Sequence, residues 1–118
     1  MLFRSYKAHR VGEDFQPESV SRYRSSTCLL DAYEPGRKGG TGTTFDWSVA
    51  RLTSAYARVI VAGGLTPVNV GDAIATARPY AVDVGSGVES APGKKDRRLL
   101  REFMQRVREA VLRLEERG

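Results

Sequence analysis

Two stretches of the chain run a β-branched segment directly into glycines and a helix start. "VIVAGGLTPVNV" spans 59–70 and "AVDVGSGVESAPGKKD" spans 81–96. Glycine lets a backbone approach a ligand closely and takes dihedral angles that other residues avoid. Unpaired N–H groups at such a turn, next to a helix start, favour a phosphate. Gly63 and Gly64 make one such turn; Gly85, Ser86 and Gly87 make the other. Two neighbouring strands would aim both turns at one anion. The plainer alternative is a pair of tight strand-to-helix connections. Asp31 ends a third apolar run, "STCLLDAY" (26–33). There it is either a proton donor at the mouth of a site, or a helix cap, or a solvated carboxylate. Asp83 lies inside "AVDVG". A carboxylate within a strand must be paired or line a polar cavity, so it either orients another group or acts directly.

Other reactive residues are few. Cys28 sits within an apolar strand run, the setting of a small buried hydrophobe rather than a reactive thiol. His9 is the only histidine and is held as an unassigned polar lining residue near the end of the first strand. One cysteine and one histidine exclude an internal disulfide, a multi-cysteine metal site and most Ser/His/Asp chemistry; no metal or cofactor is expected. Lys94 and Lys95 in "PGKKD" either attract an anion or lie in a solvated loop. "GRKGGTGTT" (36–44) fails the GxxxxGK[ST] pattern, and Phe45 stands where GxGxxG needs its third glycine. It reads as a mobile cover over a site or as a flexible connection.

The elements that must position these groups alternate. Residues 3–11, 26–33, 58–64 (ending in Gly63-Gly64) and 80–87 read as strands, with a short helix expected within 13–26. Asp46 is placed to cap a helix that follows "FDW", where Trp47 packs helix on sheet. Pro67 stands just inside the next helix. The last helix, capped by Asp96, carries Leu99, Leu100, Phe103, Val107, Val111 and Leu114 as one apolar stripe. Strand–helix repeated four times implies a parallel sheet with right-handed crossovers, either a small open sheet or half of an eight-fold barrel. Sites in parallel sheets sit at the carboxyl ends of strands, where Asp31 and both glycine turns fall.

The chain has 118 residues, a single-domain length, and a net charge of +5. The basic residues are dispersed, with no RNA-binding aromatic signature, so nucleic acid is not the expected partner. No run approaches the roughly 18 apolar residues that span a bilayer, and "MLFRSYKAHR" lacks a signal-peptide core. A cytoplasmic protein with no membrane partner is expected.

The order and spacing of "LLDAYEPGRKGGTGTTFDW", "VIVAGGLTPVNV" and "YAVDVGSGVESAPGKKD" resemble phosphoribosylanthranilate isomerase. The likeness runs over 29–96 and, more weakly, over 4–28, where "YKAHRV" is similar to the family's fifth strand. The resemblance implies a TIM (βα)8 barrel and a cofactor-free Amadori rearrangement of phosphoribosylanthranilate in tryptophan biosynthesis. In that family an aspartic acid ending the sixth strand protonates the furanose ring oxygen. A cysteine ending the first strand removes a proton from the adjacent sugar carbon. Asp31 matches the acid. Gly63, Gly64, Gly85, Ser86 and Gly87 match the phosphate-binding turns, Asp83 a pocket-facing aspartate, and Gly39, Gly40 and Gly42 the loop that folds over the substrate.

The departures are informative. Thr43 replaces the lysine of GGTGKTFDW, and Gly85-Ser86-Gly87 stands where two serines are common. The first-strand "KICG"-like motif is absent, and Cys28 lies on the wrong strand to replace its cysteine. The chain is similar to strands five to eight alone, a parallel (βα)4 half-barrel over 1–118. Open strand edges and an uncovered apolar face invite association. The expectations are a truncated gene product, self-association into one pseudo-symmetric barrel, or pairing with an N-terminal half-barrel that brings the cysteine. The alternative function is a non-catalytic, self-associating phosphate-binding half-barrel.

Overall fold

The computed structural model describes residues 7–22, 27–32 and 44–117. Four strands form one parallel sheet in chain order: β1 (Lys7–Val11), β2 (Thr27–Ala32), β3 (Arg58–Val61) and β4 (Ala81–Val82). Helices α1 (Trp47–Thr53), α2 (Val70–Ala77) and α3 (Arg97–Glu116) follow β2, β3 and β4. A 3-10 helix, Pro17–Arg22, follows β1, where the sequence predicts a short helix. Between β4 and α3 lie a second 3-10 turn, Ser86–Val88, and an antiparallel hairpin of β5 (Glu89–Ala91) and β6 (Lys94–Lys95). Sequence pattern does not foretell that hairpin; "PGKKD" reads as loop.

Strand alternation sorts the sheet into two faces. Cys28, Leu30, Val59 and Val61 are buried and share one core with Ala50, Val70, Ala73 and Ala77 of the helices. The register pairs Cys28 with Val59 and Leu30 with Val61, so these side chains form two rows under the helices. On the other face Ala8 pairs with Leu29, Leu29 with Ile60, and Ile60 with Ala81. Leu29, Ile60 and Ala81 are only half-buried. The strands are thus more deeply covered on the helix face than on the other.

Helices α1 and α3 begin where side chains replace missing backbone acceptors. Asp96 accepts from the N–H groups of Arg98 (2.8 Å) and Leu99 (3.2 Å), a cap worth about 1 kcal/mol. Asp46 accepts from Ser48 N–H at 3.0 Å and from its hydroxyl at 2.7 Å, which holds the carboxyl below its ordinary range. Pro67 precedes α2 rather than entering it, because the chain turns through Asn69 before the helix starts at Val70. On α3, Phe103 and Ala110 are buried, with Leu99, Val107 and Leu114 packed against the core. Leu100 and Val111 remain 40% and 41% exposed, so the expected stripe is split between a packed and an open flank. Among the described residues no helix is long and apolar enough to cross a membrane.

Candidate active site

Asp31 lies one residue beyond Leu30 on β2, which turns its side chain to the face away from the helices. It is half-buried there. Gly63 and Gly64 follow β3 with φ of +87° and +67°, values that L side chains rarely adopt. Gly63 also faces Asp31 directly. A Cβ at position 63 would strike the Asp31 carboxylate and come within 2.7 Å of the Ala32 nitrogen. Glycine therefore serves twice at this position, for dihedral angle and for approach.

Asn69 fixes the rest of this first turn. Its Oδ1 accepts from Thr66 N–H at 2.8 Å, and its Nδ2 donates to the Gly64 carbonyl at 2.9 Å. Thr66 Oγ1 accepts in turn from the N–H groups of Val68 and Asn69. These bonds fold 64–69 into one rigid corner leading into α2.

The second turn rests on the first. A Cβ at Gly87 would collide with the Leu65 carbonyl and lie 3.2 Å from Thr66 Cα, so two backbones touch there. Val88, 1% exposed, anchors the turn in the core. Its N–H donates to Gly85 O at 3.3 Å, and its carbonyl accepts from Asp96 N–H at 2.7 Å. Among the described residues, the N–H groups of Gly64, Leu65, Ser86 and Gly87 make no hydrogen bond to a protein acceptor. Asp31, Gly63, Gly64, Gly85, Ser86 and Gly87 thus lie along one continuous line of contacts.

The remaining candidates divide. Asp83 follows the end of β4 rather than lying within it, and is exposed; its N–H donates to Val61 O at 2.9 Å. Leu30, Val61 and Val82 share a row of the sheet, so Asp31 and Asp83 occupy the next one, on the face away from the helices. Gly39, Gly40 and Gly42 lie outside the described residues. Cys28 is 3% exposed on the helix side, and burial pushes its thiol above the ordinary value. No cluster of metal-ligating residues occurs among the described residues. A separate cleft of about 440 Å³ lies between α2 and α3, lined by Asp72, Arg106, Glu109, Arg113 and Arg117 but by none of the candidate residues.

His9 also points to the helix side, its ring edge-on to Phe15 with centroids 6.0 Å apart. Burial, and then the charge of Lys7, hold its pKa below 6.5. The folded state therefore binds fewer protons than the unfolded chain in the window below that value. The stabilising contribution is complete above the unfolded pKa and is lost as pH falls through the folded one. Urea midpoints followed from about pH 7.5 to about 5 should fall more steeply for the wild type than for His9→Gln. Parallel profiles would contradict this reading.

Asn69 and Lys95 are the positions that sequence reasoning passes over or leaves undecided. Lys95 Nζ donates to Gly85 O at 3.0 Å and pairs with Glu89 at 3.3 Å. Neither residue carries a spacing signal; each acts on a carbonyl placed by tertiary folding.

These features define an α/β protein whose candidate chemistry gathers at the carboxyl ends of parallel strands. The model of the N-(5'-phosphoribosyl)anthranilate (PRA) isomerase family matches residues 2–106, and the chain belongs to that family. The N-(5'-phosphoribosyl)anthranilate isomerase of Trichlorobacter lovleyi is 52% identical over 110 residues, 92% of this chain and 53% of that protein. The crystal structure of phosphoribosyl anthranilate isomerase from Thermotoga maritima is 40% identical with a TM-score of 0.74, over 87% of this chain and 50% of that one. A phosphoribosyl anthranilate isomerase in complex with reduced 1-(o-carboxyphenylamino)-1-deoxyribulose 5-phosphate is 36% identical with a TM-score of 0.70, over 87% and 47%. The chain spans about half the length of the curated relatives it matches.

Proposed function

We propose that residues 1–118 act as one unit, the acid-and-phosphate half of a cytoplasmic phosphoribosylanthranilate isomerase in tryptophan biosynthesis. The fold is read as the (βα)4 half of a TIM barrel, strands five to eight. The substrate is N-(5'-phosphoribosyl)anthranilate, held by its phosphate on the amides of 63–65 and 85–87. Asp31 gives a proton to the furanose ring oxygen as the C1–O bond breaks. The anilino nitrogen supplies its electron pair to C1, leaving a Schiff base. Loss of the C2 proton to a general base then yields the enol, which tautomerises to the 1-amino-1-deoxyribulose phosphate. Atoms and electrons balance without a cofactor. Cys28 is buried on the opposite face, so the general base comes from an N-terminal half-barrel carrying the family's first-strand cysteine. Asp83 contributes to the pocket wall.

One observation carries the reading. The Asp31 carboxyl that would donate the proton lies against Gly63, and the turn begun by Gly63 touches Gly87. A phosphate bridging the turns would therefore hold its sugar beside the acid. The half-buried Leu29, Ile60 and Ala81 and the open flank of α3 at Leu100, Met104 and Val111 are surfaces that a second half-barrel, or a second copy, would cover.

The test is co-production with a family N-terminal half, followed by an assay for loss of the fluorescent anthranilate substrate. The purified one-to-one assembly should turn over, while this chain alone should not. A stable assembly with no turnover would overturn the isomerase reading and favour the self-associating phosphate-binding alternative.

A further inference from the structure

The proposed chemistry leaves Lys95 unused, although its ammonium is the only side-chain cation seen bonded to either turn among the described residues. Lys95 lies opposite Glu89 in the β5–β6 hairpin. The Glu89 side chain is 17% exposed and that of Lys95 54% exposed. The pair is thus tethered at its acidic end and reaches outward to Gly85. A trans peptide is planar, so its C=O and N–H point in opposite directions. Holding the Gly85 carbonyl at 3.0 Å from Nζ, beside the Val88 N–H at 3.3 Å, therefore helps fix the Ser86 N–H on the far side of that peptide. Asn69 does the same at the first turn, where its grip on Gly64 O fixes the Leu65 N–H. Each turn has one side-chain donor on the carbonyl that precedes a free amide.

We infer that Lys95 is a positioning residue for the substrate phosphate, acting through the Gly85–Ser86 peptide. It presents the Ser86 N–H to the anion, and Glu89 keeps its ammonium over the carbonyl. Because Glu89 offsets its charge, Lys95 acts mainly by geometry. The inference rests on the proposed phosphate site, and its test separates the two.

Inorganic phosphate is titrated into the full chain, and amide shifts at 64–65 and 86–87 are followed. Lys95→Met should weaken binding about tenfold, with an unchanged urea midpoint, and Lys95→Arg should restore most of it. The double variant Lys95→Met/Glu89→Gln should stay weak. Wild-type affinity in Lys95→Met would overturn the inference while leaving the phosphate site intact. So would full recovery in the double variant, which would trace the loss to a bare Glu89 carboxylate. No response at these amides in the wild type would refute the site itself, and the role of Lys95 with it.

Discussion

Asp31→Asn is expected to lower the turnover of the assembled isomerase by about 10²- to 10⁴-fold, the usual worth of a general acid. Asparagine keeps the size of the side chain and its place against Gly63, but has no acidic proton to give the ring oxygen. Phosphate affinity should be unchanged, because in the proposed site amides hold the anion and this carboxyl does not. The loss should therefore fall on kcat, with little change in KM. Steady-state kinetics on the wild-type and variant assemblies make the comparison. Unchanged turnover would remove Asp31 from the mechanism.

Gly87→Ala should be strongly damaging. The new Cβ would meet the Leu65 carbonyl, which is backbone and cannot swing aside. Relief requires the two turns to separate, at a cost of about 1–3 kcal/mol for overpacking. Separation would also dismantle the proposed anion site, so phosphate binding should be lost along with stability. Gly71→Ala is the contrasting case. Position 71 lies within α2 and its Cβ would meet nothing within 4 Å, so alanine should stabilise by about 0.5–1 kcal/mol. Urea unfolding of the two variants should move in opposite directions. A tolerated alanine at 87 would mean that the turns do not touch.

Much of the site is legible in the amino-acid sequence, for a physical reason. Glycines after a β-branched run mark where backbone must pass close to something, and Gly63 and Gly87 do so in space. Asp31 stands out by its place at the end of an apolar strand. Side-chain latches on backbone leave no such trace. Lys94 and Lys95 are adjacent and chemically alike, yet only Lys95 holds Gly85, because hairpin register decides which one points there. Asn69 has the look of an ordinary polar residue after Pro67, but it locks the corner and delays α2 to Val70. Sequence pattern puts Asp83 within a strand, but β4 ends at Val82. Periodicity likewise gathers Leu100 and Val111 into the core stripe of α3; it reports a face of the helix, not whether a neighbour covers it.

The central claim is that one phosphate bridges both glycine turns and sets its sugar beside Asp31. A crystal structure of this chain, assembled with an N-terminal half and bound to the reduced product analogue, tests it most directly. The expected result is a phosphate hydrogen-bonded to amides of both turns, with the sugar chain running to the Asp31 carboxyl. A phosphate seated instead among Arg106, Arg113 and Arg117 between α2 and α3, with the turns empty, would contradict the account.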